Sequence, residues 1–433
     1  MIWLYRLLYL PGLALVLPYY LFRMWRRGGY SKDFQHRFGL HRQLPEPTAG
    51  RQRIWIQAVS VGEVLAVRTI VDALHSIGSF EIVLTTTTST GYREARKHYN
   101  NKVLSVGIFP LDFWIFSRAA WRRIRPDVIL LTESELWPEH LHQARQGRTP
   151  AFLINARMSD KSFQRYRKVK WLVGRILQKF EGIYPASESD KVRLQELGAP
   201  ERRLFVYGSI KLDTPTPKAI NGADSESLLK SLGFDAHQGT KPIIILGSST
   251  WPGEELALIQ IVERLIASGL DCRLLLVPRH AERGSEIARI LAQHPSAWHQ
   301  RSAGPVPENA IVIHLADTTG ELGRFTRIAD IAFIGKSLQP NQGGQSPVDA
   351  AGLGVPILFG PEMNNFRDLA RALVESGAAR EVDNEVGLGD EIARLARDPA
   401  LRNEMSSNGR QWHQRNQGSS QRIAESIAEK LKN

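Results

Sequence analysis

Short apolar runs alternate with longer segments of helical pattern along most of this 433-residue chain. The apolar runs of the first half are residues 53–59, 81–85, 103–109, 128–131, 151–154 and 182–186. Helical patterns fill several of the gaps between them, as at residues 61–77 and 187–197. Strands that alternate with helices predict a parallel sheet with helices packed on both faces.

The alternation stops at residues 208–240, where Pro, Gly and Ser are frequent, and then starts again. The second set of apolar runs comprises residues 242–246, 274–277, 310–314, 330–334 and 355–359, followed by a polar helix at 419–432. We therefore predict an α/β protein with two Rossmann-like, doubly wound domains. The predicted boundaries are 28–207 for the first domain, 208–240 for the linker, 241–412 for the second domain and 413–433 for a C-terminal helix. Ligands of such domains bind at the carboxyl ends of the strands.

Residues 1–27 follow a different pattern. Residues 7–22 carry no charge and lie between Arg6 and Arg23, with aromatic residues near both ends. The run is shorter than the roughly 20 residues of a spanning helix, and Pro11 and Pro18 interrupt it. We interpret residues 1–27 as a membrane anchor that spans the bilayer or lies in its plane, with the basic flank on the cytoplasmic side. A buried helix of a soluble protein is disfavoured because the segment is apolar all round.

Charge and composition narrow the choice of partner. The net charge of +12 favours an anionic partner, which is nucleic acid, a phosphorylated small molecule or an acidic membrane surface. The predicted anchor makes nucleic acid the weakest of the three. A single cysteine, Cys272, excludes an intramolecular disulfide and a Cys-rich metal site. Neither H-E-x-x-H, G-x-S-x-G nor a P-loop occurs, so nothing specific points to a hydrolase, a kinase or a metal site.

Polar side chains follow the predicted strands of the first half at the positions where ligands bind. They are Ser60, Glu63, Thr87, Glu133, Glu135 and Arg157. Glu133 and Glu135 follow a strand that should be buried, and a buried carboxylate is costly unless it is paired or used in chemistry. Arg157 follows the next strand and can pair with one of them. Ser60 and Glu63 are also typical of an ordinary helix start.

In the second half, residues 335–351 run from a predicted strand through a glycine-rich turn into a helix. Such a turn offers backbone N–H groups to a phosphate, although a tight turn in any α/β sheet has the same pattern. The other candidates are Lys211 at the linker, Ser248 after residues 242–246, and Arg279 and His280 after residues 274–277. We expect all of them to contact an anionic ligand.

Taken together, these segments resemble the transferases of 3-deoxy-D-manno-oct-2-ulosonic acid (Kdo) in lipopolysaccharide synthesis. The matching stretches are A-V-S-V-G-E at 58–63, T-T-T-T-S-T-G at 85–91, E-S-E-L-W-P at 133–138, N-A-R at 155–157, G-S-I-K at 208–211, V-P-R-H-A-E-R at 277–283, D-T-T-G-E-L at 317–322 and residues 335–351. The resemblance implies a GT-B fold with an N-terminal membrane-anchor helix, CMP-Kdo as donor and a lipid A precursor as acceptor. It also implies inversion at the anomeric carbon, no metal or cofactor, and a place at the cytoplasmic face of the bacterial inner membrane.

Two departures from the family pattern affect the predicted site. The family has a proposed catalytic glutamate in a pattern like W-G-E-R-Y-G, whereas residues 34–39 here read F-Q-H-R-F-G and place His36 there. An imidazole is a reasonable base, but Asp33 as the base and an impaired enzyme stay open. The family's G-G-H-N-x-L-E reads G-G-Q-S-P-V-D at residues 343–349, so Asp349 replaces its glutamate and the donor preference can differ.

The resemblance then suggests a role for each candidate. Predicted catalytic residues are His36, Glu63 and Glu133; predicted donor contacts are Lys211, Ser248, Arg279, His280, Gly343, Gly344, Ser346 and Asp349; predicted acceptor contacts are Ser60, Thr87, Glu135 and Arg157. Two alternatives stay open. A nucleotide-sugar 2-epimerase shares the two-domain plan, and a catalytically weak homologue would serve as a glycolipid-binding protein.

Overall fold

The computed structural model describes residues 2–26, 32–78, 80–213, 222–234, 241–307 and 311–432. The chain forms two compact units. Unit 1 comprises Met1–Thr214 and Gln417–Asn433, and unit 2 comprises Pro215–Asn416. Most of the C-terminal helix that the sequence set apart therefore belongs to unit 1. The segment predicted as a linker includes a 3-10 turn, Ile210–Asp213, and a helix, Gly222–Ser231.

Unit 1 is built on a six-stranded parallel sheet with the strand order β3-β2-β1-β4-β5-β6. Its strands are β1 (Gln52–Ala58), β2 (Phe80–Thr86), β3 (Ser105–Ile108), β4 (Val128–Thr132), β5 (Ala151–Ala156) and β6 (Gly182–Pro185). Its helices are α1 (Ile2–Arg26), α2 (Val61–Ile77), α3 (Ser89–Tyr99), α4 (Trp114–Ile124), α5 (Pro138–Gln146), α6 (Asp160–Arg167), α7 (Lys170–Leu177), α8 (Glu188–Glu196) and, at the end of the chain, α17 (Ser419–Lys430). The predicted alternation of strands and helices is confirmed.

Successive residues of β1 face opposite sides of this sheet, as the period of a strand requires. Trp55 belongs to one apolar core, and Ile54 and Ile56 belong to the other. Every residue of β4 is buried. Strands covered on both faces consist of nearly continuous apolar residues, which is why they were visible in the sequence.

Unit 2 contains a seven-stranded parallel sheet with the order β13-β12-β11-β7-β8-β10-β9. Its strands are β7 (Ile243–Thr250), β8 (Cys272–Pro278), β9 (Trp298–Gln300), β10 (Ile313–Leu315), β11 (Ile331–Ile334), β12 (Ile357–Phe359) and β13 (Ala379–Glu381). Its helices are α9 (Gly222–Ser231), α10 (Glu254–Ala267), α11 (Gly284–Leu291), α12 (Leu322–Thr326), α13 (Val348–Leu353), α14 (Arg367–Glu375), α15 (Glu385–Arg397) and α16 (Pro399–Asn416). The edge strands β9 and β13 have three residues each, too few to produce a visible pattern.

Each sheet has a point where the direction of winding reverses. In unit 1 the chain runs outward from β1 to β3 and returns to β4 on the other side of β1. In unit 2 it runs outward from β7 to β10 and β9 and returns to β11 on the other side of β7. Helices on either side of a reversal diverge, and ligands bind in the crevice that this leaves at the carboxyl ends of the two strands. We call these places the β1/β4 and β7/β11 switch points.

Helix α1 continues through Pro11 and Pro18 and is held to unit 1 by its first turns. The hydroxyl of Tyr5 donates to Asp112 over 2.6 Å, and the Arg6 guanidinium donates twice to Glu139, at 2.8 Å each. Several large apolar side chains of this helix are exposed, among them Leu7, Leu8, Leu15 and Phe22. Among the described residues, no helix is both long and apolar enough to cross a bilayer.

The last helix, α17, returns to unit 1 and packs on α2. The carboxylate of Asp213 accepts the backbone N–H groups of Gly418 at 2.6 Å, Ser419 at 3.3 Å and Ser420. A carboxylate at this position satisfies amides that a helix start leaves without a partner. The two ends of the unit 1 chain are therefore adjacent where unit 2 is inserted.

Candidate active site

Glu63 lies at the β1/β4 switch point in the first turn of α2. Its carboxylate accepts hydrogen bonds from the Val59 N–H at 2.9 Å, the Ser60 hydroxyl at 2.9 Å and the Thr132 hydroxyl at 2.6 Å. Thr132 ends β4, so Glu63 joins the two strands of the switch point. Burial, and then the neighbouring charge of Glu133, raise the pKa of Glu63. Ser60 caps α2 through the Glu63 N–H, as its pattern indicated.

Glu133 follows β4 directly and has a left-handed backbone, with φ of 53°. Its carboxylate pairs with the Lys211 ammonium at 2.6 Å and lies 3.5 Å from the side-chain amide nitrogen of Asn155. The sequence assigned Lys211 to the donor, and the structure places it in unit 1 beside this glutamate. Both side chains of the pair remain about a quarter exposed, so a ligand can still reach them.

Glu135 is the third carboxylate at this switch point. One of its oxygens, Oε2, is buried and has no hydrogen-bond partner among the described residues. Burial and the charge of Glu63 raise the pKa of Glu135 to about 8. Glu135 therefore holds a proton at neutral pH, next to Glu133 in an ion pair. Carboxyl groups in different environments at one place are suited to acid–base chemistry.

The remaining predicted residues of unit 1 lie at the same edge of the sheet. Thr87 follows β2 and accepts a hydrogen bond from Gln57 at 2.7 Å. Arg157 follows β5 and is half-buried. Because the carboxyl ends of parallel strands share one edge, the sequence located these residues correctly without knowing the strand order.

Residues 33–41 lie against the ends of β2 and β3. Phe34–Phe38 forms a 3-10 turn. The buried Arg37 fixes this turn by donating to the backbone carbonyls of Phe109, at 2.9 Å, and Thr87. Asp33 and His36 are thereby held at the same edge of the sheet as the three glutamates.

His36 is buried and stacks on His41, with ring centroids 4.3 Å apart. Its Nδ1 accepts the N–H of Ile108 at 3.3 Å, so the ring proton of the neutral imidazole is on Nε2. Nε2 lies 4.0 Å from Oδ1 of Asp33, whose other oxygen accepts the Tyr92 hydroxyl. Burial lowers the pKa of His36, with Asp33 opposing the shift. The Nε2–H of His36, and not a ring lone pair, is therefore the group nearest Asp33.

The donor residues predicted in unit 2 lie at the ends of β7 and β8. Ser248 is buried near the end of β7, and Arg279 and His280 are exposed after β8. Arg283, which the same motif contains, is already paired with Glu255 at 2.7 Å and Glu286 at 2.9 Å. Arg279 and His280 remain accessible to a ligand.

Glu254, which sequence reasoning missed, organises the β7/β11 switch point. Its carboxylate accepts four backbone N–H groups, those of Trp251, Lys336, Ser337 and Leu338, at 2.8–3.2 Å. Three of these donors belong to the loop after β11, so Glu254 joins the ends of the two strands. Its position in the first turn of α10 indicates only a residue that complements the helix dipole.

The glycine-rich turn differs from the phosphate cradle that its pattern suggested. The N–H of Gly343 donates to the Glu362 carbonyl and that of Gly344 to the Lys336 carbonyl, both at 2.8 Å. Both glycines have positive φ, and a Cβ on Gly343 would lie 2.6 Å from the amide nitrogen of Asn365. The turn is therefore a compact folded loop, and the helix that follows, α13, has six residues. Ser346 and Asp349 are exposed beside it.

The described residues contain no group of three or more His, Cys, Asp or Glu side chains arranged to hold a metal ion. Comparison with solved structures identifies the fold. The chain is similar to a UDP-GlcNAc 2-epimerase from Neisseria meningitidis, with 13% identity, TM-score 0.61, and coverage of 88% of this chain and 100% of that one. It is equally similar to a glycosyltransferase from Rickettsia africae ESF-5, with 12% identity, TM-score 0.61, and coverage of 88% and 99%. Because an epimerase and a transferase fit equally well, these likenesses show a GT-B-like fold alone.

Comparison of sequences distinguishes between an epimerase and a transferase. The family model described as 3-deoxy-D-manno-octulosonic-acid transferase (kdotransferase) matches residues 32–214. A 3-deoxy-D-manno-octulosonic acid transferase of Bordetella pertussis is 31% identical over an alignment of 436 positions that covers 98% of each chain. The resemblance found in the motifs is therefore confirmed over the whole length, and the chain belongs to the 3-deoxy-D-manno-octulosonic acid transferase family.

Proposed function

We propose that this Kdo transferase takes the sugar from CMP-Kdo and gives it to a lipid A precursor, with inversion and without a metal ion. The sequence relationship over 98% of each chain carries the reaction class, which is Kdo transfer in lipopolysaccharide synthesis. Donor, acceptor and stereochemistry are our proposal. The test is sugar transfer from CMP-Kdo to a lipid A precursor by the full chain; donor binding without any turnover would instead identify a glycolipid-binding homologue.

The donor binds at the β7/β11 switch point of unit 2 in this proposal. Arg279 and His280 are exposed there, and Ser248 lines the end of β7. Ser346 lies on the loop after β11, and Asp349 lies in the first turn of α13. Cationic groups that face a departing phosphate stabilise the charge that develops in the transition state, usually the largest contribution to catalysis. The nucleotide is the leaving group, so its phosphate belongs beside the guanidinium of Arg279.

The acceptor binds at the β1/β4 switch point of unit 1, where Ser60, Thr87 and Arg157 offer polar contacts. The protonated carboxyl of Glu135 donates a hydrogen bond to an oxygen of the acceptor substrate. The Glu133–Lys211 pair binds a further polar group of that substrate. Glu63 acts by position, since its oxygens already accept three hydrogen bonds. No metal takes part in this scheme.

The catalytic base is the Asp33–His36 pair. The Nδ1 lone pair of His36 already accepts the Ile108 N–H, so Asp33 is the member that takes the acceptor proton, and the Nε2 proton of His36 steadies its charge. A general base contributes typically about 10²–10⁴-fold. We therefore expect Asp33→Asn to lose about 10²-fold or more in turnover and His36→Ala to lose less, with donor affinity unchanged in both. A larger loss in His36→Ala would make the imidazole the base, and unchanged turnover in His36→Ala would remove it from the scheme.

The protein works at the cytoplasmic face of the inner membrane in this proposal, with α1 as an in-plane anchor. The exposed apolar side chains of α1 and the basic pair α6–α7, where Trp171 is exposed, support it. Flotation with vesicles that contain anionic lipid tests both parts. Replacing Leu8 and Leu15 by serine should reduce binding at every salt concentration, whereas alanines at Arg165, Lys168 and Lys170 should reduce it only at low salt. Undiminished binding in the second variant would mean that α6–α7 is an ordinary solvated face.

The 2-epimerase alternative is not favoured. The epimerase structure shares the fold at 13% identity, while the relationship to the Kdo transferase is 31% over the whole chain. Incubation with a UDP-sugar and no lipid would reveal an epimerised product if this assignment were wrong.

A further inference from the structure

Lys336 is a cationic side chain at the β7/β11 switch point that the predicted donor site does not include. It follows β11 after Gly335, and its Nζ lies 4.4 Å from the ring centroid of Trp251, which follows β7. A Cβ on Gly343 would lie 3.7 Å from the same Nζ. Among the described residues, Lys336 forms no ion pair with a carboxylate. The ammonium therefore lies at the carboxyl ends of both strands without an ion pair in the described part of the chain.

The backbone at Lys336 is strained and firmly held. Its φ is 61°, a left-handed conformation that costs energy for any residue with a Cβ and that glycine adopts freely. Its N–H donates to Glu254 at 2.8 Å, and its carbonyl accepts the Gly344 N–H at 2.8 Å. A lysine kept where glycine would fit without strain points to a use for its side chain.

Two polar atoms at the end of β7 lack hydrogen-bond partners among the described residues. The Nε1 of Trp251 and the hydroxyl of Thr250 are both buried with no hydrogen-bond partner among the described residues. The ring of His280 stands edge-on to Trp251, with centroids 5.4 Å apart. Buried polar groups are normally satisfied, so unsatisfied ones mark a place where a ligand or water completes the structure.

We propose that Lys336, held on the indole face of Trp251, binds the phosphate of the donor nucleotide. This inference rests on the proposed function, because it takes the cytidine nucleotide of that proposal as the ligand. The indole face keeps the cation in place, and the Glu254-bound loop prevents the backbone from following the ligand. Trp251 and Lys336 are thus a matched pair, one from each side of the switch point.

Calorimetry with the full chain and two ligands, CMP and cytidine, tests the assignment. A charge-assisted hydrogen bond contributes enough for Lys336→Ala to weaken CMP binding by about tenfold or more. Cytidine, which lacks the phosphate, should bind the variant and the wild type equally. Lys336→Arg should restore most of the CMP affinity. Lys336→Gly should weaken CMP binding as alanine does while unfolding at a temperature no lower than the wild type, because it relieves the left-handed strain.

Lys241 provides the matched control, because it precedes β7 at the opposite edge of the same sheet and is half-exposed. Lys241→Ala removes the same charge and should leave CMP affinity unchanged. Equal loss in Lys241→Ala and Lys336→Ala would reduce the effect to net charge and overturn the inference, as would full CMP affinity in Lys336→Ala. An equal loss for cytidine would also overturn it, since Lys336 would then act on the nucleoside. Failure of the wild type to bind CMP would overturn the proposed donor itself. That result is distinguishable from the outcomes above, which compare variants with a wild type that binds CMP.

Discussion

The two switch points are built in the same way and differ in the side chains around them. In each unit a glutamate in the first turn of the helix after the first strand joins that strand to its neighbour across the reversal. Glu63 does so by accepting Val59 and Thr132, and Glu254 by accepting Trp251 and the loop after β11. Around Glu63 lie two more carboxyl groups, whereas around Glu254 lie cations and a glycine turn. The two units share this arrangement of a glutamate between two strand ends, so the difference in their chemistry comes from the residues just beyond the strand ends.

The partners of the two glutamates differ, and this difference can be measured. All four groups on Glu254 are backbone N–H donors, which cannot reverse their role, while two of the three on Glu63 are hydroxyls that can rotate and accept. In Glu254→Gln, the new amide NH₂ faces N–H donors, and we expect a loss of about 3 kcal/mol in the stability of unit 2. In Glu63→Gln the loss in unit 1 should be about 1 kcal/mol.

Native-state hydrogen exchange with increasing urea measures each unit separately and suits this comparison. The amides of β7 report on unit 2, and those of β1 report on unit 1. Equal losses in the two variants would show that the hydroxyls around Glu63 do not adapt, and the proposed distinction would fail.

The acidic switch point should respond to pH. The folded-state pKa of Glu135 is about 8, above its value in the unfolded chain, so the folded state binds a proton that the unfolded state has lost between about pH 4.5 and 8. Stability therefore falls as pH rises through this window. The side chain in Glu135→Gln cannot ionise. The free energy of unfolding of this variant, relative to the wild type, should therefore rise by at most about 1.4 kcal/mol per pH unit in this window and become constant above about pH 8.

Urea unfolding of unit 1 at several pH values measures this advantage. Glu188→Gln is the control, because that side chain is 74% exposed in the same unit and should show no such trend. A constant difference between Glu135→Gln and the wild type from pH 5 to 8 would mean that Glu135 ionises normally.

The smallest effect is expected at Lys211, the cation paired with Glu133 at the acidic switch point. Both side chains are about a quarter exposed, and ion pairs near solvent contribute little. Lys211→Met should cost less than about 1 kcal/mol at low salt, and the cost should shrink as salt is added. A loss that persists in high salt would show that this pair is shielded from solvent.

Much of the fold and the edge that carries the site were predictable from the sequence. Parallel strands buried on both faces are continuous apolar runs, and residues just after them must share one edge, which is how Glu63, Glu133 and Glu135 were found. The strand order was not visible, since a pattern does not say that β4 lies beside β1. In unit 2, the roles of Glu254 and Lys336 depend in the same way on the position of β11 beside β7.

Other features depend on geometry that residue types do not encode. The amides of Gly343 and Gly344 were expected to bind phosphate, but the sequence gives no sign that the carbonyls of Glu362, after β12, and Lys336 accept them. Lys211 was predicted from its motif at the linker to contact the donor, and the sequence does not show that its side chain pairs with Glu133. His36 was found by its place in a motif, while the use of its Nδ1 by Ile108 is a matter of distance.

The carboxylate of Asp213 that holds the start of α17 has a consequence for the gene. Because residues 213 and 418 are neighbours, unit 1 is a single module that unit 2 interrupts as a long insert. The last helix of unit 1, α17, is translated only after the entire insert. A nascent chain consequently cannot complete unit 1 until the whole of unit 2 and then α17 have been translated, and a nonsense codon in α17 should damage unit 1 although it lies beyond unit 2. For protein engineers the same adjacency marks a natural splice: a short peptide from 213 to 418 would yield the first module as a separate small protein.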